Sequence, residues 1–444
     1  MFNDKLQIVT IKTVFKDNIT VPPYQRPYRW TTDSAMTLFT DIYNACSSNA
    51  PEYRIGSVVL FRNSKNNTID IVDGLQRLTT LTILMYCCLE KTQKLDDSSA
   101  IYPELLNAEM SELSSEAIIN NYQILKRKIN EFGESRLKDF KEYLLNKCTV
   151  VRIIANNEQE AFQFFDSQNS RGKALAPHDL LKSYHLREMR NDNETEKIRI
   201  INDWEATNQK ELNRLFSEHL YPLVKWYKFQ DGIDYSTKNI KTFKGIMLSN
   251  NYNFSVYNRA ANLYIERFNH EGMYELASGH MINQFQLTQP IIAGKRFFEY
   301  TLHYLKLKND VEQLIKDRYE SDELIPEYGA GDRYVKQLFV NILVFCADRF
   351  NIVELTKART DMMYRWAYTL RIVMKSVYRE SVNRYAKGDS DRVKDGINMF
   401  SKISEMQDPS EMDAFILDKI SIEELNKYKV NIDKYNNIIN FIMK

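Results

Sequence analysis

IVDGLQRLTTL, from Ile71 to Leu81, is the stretch on which the fold turns. A run rich in β-branched residues, Ile69 to Val72, stops at Asp73-Gly74. A helical pattern starts directly after it, with Leu78, Leu81, Met85 and Leu89 along one side. That is a strand, a tight turn and a helix. Gly74 lets the backbone turn where a side chain would obstruct it. The first turn of the helix then carries N–H groups with no intrahelical acceptor, and the helix dipole adds positive potential there. Arg77 sits in that turn. A cation is unfavourable at a helix N-terminus unless it faces an anion. The residues read as an anion site, with phosphate the simplest occupant. The structural alternative is an internal ion pair from Arg77 to Asp73 or Glu52, and for Asp73 a helix N-cap.

Around this junction the chain is mixed. Tyr53 to Phe61 alternates and is rich in Val, Asn63 to Asn67 is a polar turn, and Thr68 to Val72 is the partner strand of a hairpin-like pair. The helix after Gly74 extends to Leu95, and Ile119 to Phe140 is a charged helix. Thr149 to Ile154 is a short strand, Glu158 to Phe165 a helix, and Ser167 to Ala176 a loop. Pro177 opens another helix at its favoured first position. From residue 195 onward period-2 runs become rare and amphipathic helices dominate, one of them predicted over Asp361 to Ala386. The fold class is α+β: a mixed α/β domain over 1–192, then a helical domain over 193–444, divided in the polar stretch Arg190 to Lys197.

Bulk properties remove several function classes. The chain has 444 residues, 43% hydrophobic and 27% charged, which implies a folded soluble protein rather than a disordered one. A formal net charge of +1 does not announce a nucleic-acid binder. No stretch has the uninterrupted apolar length of a membrane span, so no membrane association is expected. The start, MFNDKLQIVT, does not read as a signal peptide. The 5 cysteines are irregularly spaced, and Cys87-Cys88 are adjacent in a helix. Reduced thiols in a cytoplasmic protein are expected. The sequence has no Gly-x-x-x-x-Gly-Lys-Ser/Thr loop, no Gly-x-Ser-x-Gly elbow, no His-x-x-x-His pair and no HNH nuclease motif. Two basic groups, Arg371/Lys375/Arg379 and Lys225/Trp226/Lys228, read as solvated helix faces, with nucleic-acid contact the alternative.

Two further stretches belong with the central one: VPPYQRPYRW, Val21 to Trp30, and FFDSQNSRGKALAPHDLLK, Phe164 to Lys182. Pro22-Pro23 hold the first extended. An extended strand puts Tyr24 and Arg26 on one face and Gln25 on the other. Arg26 suits phosphate, Tyr24 and Tyr28 suit a base, and Trp30 reads as a core residue. Asn169 and Arg171-Gly172 suit a turn. Asp179 and Lys182, three apart on the next helix, suit a mutual ion pair.

The three blocks, in this order, resemble the N-terminal domain family of GmrSD-type restriction proteins, whose fold is ParB/sulfiredoxin-like. The matching residues are Pro22, Tyr24, Gln25, Arg26, Tyr28 and Trp30; Asp73, Gly74, Gln76, Arg77, Leu78, Thr79, Thr80 and Leu81; and Asn169, Arg171, Gly172, Leu175, Asp179, Leu180 and Lys182. The resemblance covers roughly the first 190 residues. Family members bind and hydrolyse nucleoside triphosphates. The resemblance therefore implies a nucleoside triphosphate and Mg2+ as cofactors, with Asp73 and Gln76 catalytic and Asp73 also the Mg2+ ligand. It implies Tyr24, Gln25, Arg26, Gly74, Arg77, Asn169 and Arg171 as nucleotide- and phosphate-binding residues. It further implies a role in modification-dependent restriction or phage defence, with DNA and a separate nuclease subunit as partners. One position departs: Leu75 stands where the family usually has the first Gln of a pair. Binding carries over, whereas hydrolysis loses an amide that could orient water. Two rival readings are a non-catalytic adaptor holding nucleotide or DNA phosphate, and a nuclease using the Asp73/Gln76/Arg77 pocket itself.

Overall fold

The computed structural model of the chain describes residues 6–22, 25, 28–63, 68–92, 112–155, 176–189, 192–273, 275, 279, 281–320, 323–390, 396–415, 417 and 433–443. The chain divides into two compact units, Met1–Leu175 and Ala176–Lys444. The first is mixed α/β and the second mainly helical, the α+β arrangement expected from the pattern.

The first unit is built on a mixed sheet of five described strands, β1 (Leu6–Thr10), β2 (Ile19–Thr20), β3 (Tyr53–Asn63), β4 (Thr68–Asp73) and β5 (Cys148–Ala155), in the order β1-β5-β3-β4-β2. The pair β3/β4 is the antiparallel hairpin read from the alternation, with Leu60 opposite Ile71 and Arg62 opposite Ile69. The long element β5 runs parallel to β3, and β1 closes one edge antiparallel to β5. Helices α1 (Ile11–Val14), α2 (Thr32–Ser47), α3 (Leu75–Lys91), α4 (Glu112–Asn130) and α5 (Glu134–Asn146) complete the unit. Val58, Leu60, Ile71 and Val150 from the sheet share one core with Leu38, Phe39, Leu78, Leu81 and Phe140 from the helices. Helix α3 is buried on nearly every side, which explains its Leu-, Thr- and Cys-rich sequence. It ends at Lys91 and not at Leu95. The Lys91 ammonium donates to the carbonyls of Ile129, Asn130 and Phe132 at 2.9, 2.9 and 2.5 Å, satisfying the end of α4.

The second unit contains α6 (Pro177–Glu188), α7 (Glu194–Ala206), α8 (Gln209–Arg214), α9 (Tyr221–Trp226), α10 (Lys241–Lys244), α11 (Asn253–His270), α12 (Lys295–Tyr319), α13 (Ala330–Phe350), α14 (Lys357–Val373), α15 (Arg379–Ala386), α16 (Met399–Glu405) and α17 (Asn436–Met443). Helix α6 is held inside this unit by His185. The ring stacks on Phe297 at 3.8 Å, its Nδ1 accepts from the Gly294 N–H at 3.1 Å, and its Nε2 donates to the Phe243 carbonyl at 3.0 Å. The division expected from sequence lies in Arg190 to Lys197; α6 and α7 both belong to the second compact unit, Ala176–Lys444. The helix expected over Asp361 to Ala386 is two helices, because Met374 takes an extended conformation. The stripe Arg371/Lys375/Arg379 therefore does not form. Arg371 is buried, 3.1 Å from the Asp332 carboxylate and over the Tyr435 ring. Trp226 of the other basic group is buried as well, its indole N–H donating to Asn383 Oδ1 at 2.8 Å. Arg371 and Trp226 are withdrawn from these groups, whereas Lys375 and Lys228 are exposed.

Candidate functional site

Asp73 is the last residue of strand β4, and the chain turns there. Gly74 has φ 102°, a left-handed conformation, and a Cβ at this position would come within 3.1 Å of Val58 Cγ2. The conformation favours glycine, and a Cβ here would press on Val58. The Asp73 Oδ1 accepts from the Gly74 N–H at 2.8 Å, so Asp73 precedes the cap and is not itself the N-cap. Gly74 is the N-cap, and no side chain caps this end of α3. The first-turn N–H groups and the helix dipole make this end locally positive.

Arg77 occupies the third position of α3. Its guanidinium lies 3.7 Å from Asp73 Oδ2, and each side chain is about one-quarter exposed (24% and 25%). Of the two internal partners expected from sequence, Asp73 is the one observed. Glu52 is engaged by Arg54 and Thr149, both at 2.8 Å. The 3.7 Å separation is too long for a hydrogen bond. A guanidinium with five donors keeps capacity for an acceptor here. Gly56 supplies its seat: a Cβ on Gly56 would stand 2.2 Å from Arg77 Nη1. Gly56 has φ 142° and lies where β3 shifts register against β5. Sequence reading passed over this residue. The available signal was a glycine inside a Val-rich strand, which marks a bulge or a close approach.

The two glutamines at the junction tie it together. Gln25 Nε2 donates to the carbonyls of Ile71 and Val72 at 2.7 and 2.9 Å. Gln76 is 8% exposed, and its Oε1 accepts from the N–H groups of Arg29 and Trp30 at 2.8 and 3.2 Å. The first block is thus latched to the end of β4 and the start of α3. The block is not a simple extended strand, because the Gln25 N–H donates to the Pro22 carbonyl at 3.0 Å and closes a turn. Tyr28 is buried, as is the polar chain it belongs to. Asn121 Nδ2 donates to Tyr28 Oη at 2.8 Å, Tyr28 donates to Thr80 Oγ1 at 2.7 Å, and Thr80 donates to the Gln76 carbonyl at 2.9 Å. Burial pushes the Tyr28 phenol above its ordinary pKa, with the hydrogen bonds to Thr80 and Asn121 opposing. Tyr28 packs and positions rather than stacking on a ligand base. Leu75 is 7% exposed and belongs to the hydrophobic core.

Tyr24, Arg26, Asn169 and Arg171 lie outside the described residues, as does the helix expected over Glu158 to Phe165. Lys182 does not pair with Asp179. It is 5% exposed and bonds Glu205 at 2.5 Å within the second unit.

Residues 11–186 match the family described as GmrSD restriction endonuclease, N-terminal domain. Residues 196–432, more than half of the chain, match a family of unknown function, DUF7834. The chain belongs to the DUF7834 family and carries a GmrSD N-terminal domain. No curated protein matches it. Within the GmrSD domain the described site comprises Asp73, Gly74 and Arg77 at one uncapped helix end, seated by Gly56 and braced by Gln25 and Gln76. Among the described residues no three His, Cys, Asp or Glu side chains cluster as metal ligands. Nor is any described helix long and apolar enough to cross a membrane.

Proposed function

We propose that this protein is the nucleotide-binding component of a GmrSD-like restriction system, holding a nucleoside triphosphate at the Asp73–Gly74–Arg77 junction. The observation that carries the reading is Arg77, a first-turn cation at an uncapped helix end with only a 3.7 Å contact to a carboxylate. Such an end favours phosphate oxygens through its N–H groups and dipole, and the guanidinium adds charge-assisted hydrogen bonds. The GmrSD match supports the restriction context. Mg2+ suits the Asp73 carboxylate, since this ion is commonly held by one or two carboxylates together with substrate phosphates. Asp73 would be its protein ligand, and the ion would offset charge on the phosphates.

Binding is better supported than turnover. The Gln76 carbonyl oxygen already accepts two backbone N–H groups, and Leu75 is in the core. Gln76 is therefore assigned as a positioning residue, leaving Asp73 the carboxylate available to a water or a metal ion. Cleavage of DNA is assigned to a separate nuclease subunit. Calorimetry with each nucleoside triphosphate and Mg2+, beside cleavage assays on modified and unmodified DNA, tests the reading. Saturable nucleotide binding without DNA cleavage supports it. DNA cleavage abolished by Asp73→Ala would replace it with the nuclease reading, and binding of DNA but of no nucleotide would replace it with the adaptor reading.

A further inference from the structure

The second unit contains a helical run interrupted by a π turn, Leu215–Leu220, between α8 and α9. Its cause lies in the sequence. Pro222 has no N–H, so the carbonyl of Glu218 lacks its α-helical donor. Asn341 from α13 fills that place, its Nδ2 donating to the Glu218 carbonyl at 3.0 Å. This orients the amide, and its Oδ1 meets His219 Nδ1 at 2.7 Å. With an acceptor fixed opposite it, Nδ1 must carry the hydrogen, and Nε2 of the neutral ring is a lone-pair acceptor. Burial holds the imidazole below its ordinary pKa, with the Asn341 bond opposing. Single π turns are frequent at functional sites.

His219 is 4% exposed, yet it lines a cleft of about 440 Å³. Nε2 has no hydrogen-bond partner among the described residues. Arg214, Arg333, Lys336 and Gln337 also line the cleft, together with the carboxylates of Glu312 and Glu327. So do Gly329 and Ala330, the N-cap and first residue of the 21-residue helix α13, an end without a side-chain cap. Lys336 is paired with Glu327 at 2.6 Å, and Arg214 with Glu218 at 3.2 Å. Arg333 makes no ion pair among the described residues, and its recorded contact is the Tyr334 ring. A smaller cleft of about 240 Å³ shares Arg214 and His219 and adds Lys210 and Lys308. The volume is that of a small-molecule site. The helix end and the unpaired guanidinium favour an anion, and the unpartnered Nε2 of this largely buried ring suits a donor on the same ligand.

We propose that the cleft around His219 binds a small phosphorylated compound that also carries a hydroxyl group. The phosphate lies at Arg333 and the start of α13, and the hydroxyl donates to His219 Nε2. The site lies wholly in the second unit and is independent of the Arg77 junction.

Ribose 5-phosphate, inorganic phosphate and ribose serve as probes on the full chain, followed by calorimetry and by the side-chain nitrogen resonances of 15N-labelled histidine. Ribose 5-phosphate should bind saturably and move the His219 Nε2 resonance, with inorganic phosphate weaker by roughly 3- to 10-fold for the loss of a neutral hydrogen bond, and ribose weaker by about 10-fold or more for the loss of charge-assisted contacts. Arg333→Ala, at an exposed position, should weaken binding by about 10-fold while the melting curve stays native. Arg77→Ala should leave it unchanged, which separates this site from the nucleotide junction. An unmoved His219 resonance at saturating probe would overturn the proposal. So would full affinity in Arg333→Ala, or inorganic phosphate binding as tightly as the sugar phosphate.

Discussion

Among the described residues Arg77 has one ion-pair neighbour, Asp73 at 3.7 Å, and a seat made by the absence of a side chain at Gly56. Two substitutions should therefore damage nucleotide binding by different routes. Arg77→Ala removes a charge-assisted contact of about 1.5–3 kcal/mol and should weaken affinity by roughly 10- to 100-fold. Gly56→Ala leaves Arg77 intact but puts a methyl group 2.2 Å from Nη1 at a φ that disfavours alanine. It should lower affinity to within a few-fold of Arg77→Ala, because the guanidinium must move. Calorimetry on both, with melting curves as a fold control, checks this; native affinity in either variant would detach Arg77 from phosphate. Leu75 makes the opposite case. Leu75→Gln would put an amide into the core at a cost of roughly 1–3 kcal/mol. Melting temperature should fall with no gain in nucleoside triphosphate hydrolysis. A faster turnover at unchanged stability would show that the side chain faces the phosphates after all.

At the scale of elements, the first block, β4 and α3 act as one assembly because buried amides join them. Asn121, Tyr28, Thr80 and Gln76 form a directional chain of hydrogen bonds that joins α4 to the start of α3. Gln76 adds two bonds to the backbone of the first block. Truncating one member leaves buried partners unsatisfied, which costs more than the bond itself contributes. Tyr28→Phe should lower stability by about 1–2 kcal/mol. Gln76→Leu should cost more, since the N–H groups of both Arg29 and Trp30 lose their acceptor. Urea titrations should show lower midpoints with unchanged slopes. A Gln76→Leu variant of native stability but abolished hydrolysis would return Gln76 to a catalytic role.

The molecule divides into two compact units. In the second, burial depresses the His185 imidazole to about 3, and both of its nitrogens have fixed neutral roles. The unfolded chain binds a proton at this residue below about pH 6.5, while the folded chain stays neutral down to about 3. Stability contributed by His185 is therefore full above pH 6.5 and is lost as pH falls, at up to about 1.4 kcal/mol per pH unit. Asp348 opposes it: burial raises its carboxyl to about 7, and that group loses stability as pH rises from about 4 to 7. Comparing His185→Phe with the parent isolates the first effect. The gap in unfolding free energy between parent and variant should narrow as pH drops from 7 to 4. A gap independent of pH would mean that His185 titrates alike in the folded and unfolded chain.

The sequence alone determined the local alternations and the strand–turn–helix junction at Asp73-Gly74. These depend on residue periodicity and on glycine's access to positive φ, which neighbours in sequence largely dictate. It also determined the GmrSD resemblance, because three blocks in fixed order need no tertiary context. Only the tertiary structure decided what each polar side chain does. Gln25, Gln76 and Tyr28 look like ligand contacts in the sequence, yet they hold backbone and helices to one another across 46 to 93 residues. Arg371 and Trp226 look like an outer basic surface and are buried against Asp332 and Asn383. Gly56 looks like a strand residue and is the seat of Arg77. A side chain's hydrogen-bonding capacity is written in its residue type, but its partner is set by which distant segment the packing brings within 3 Å.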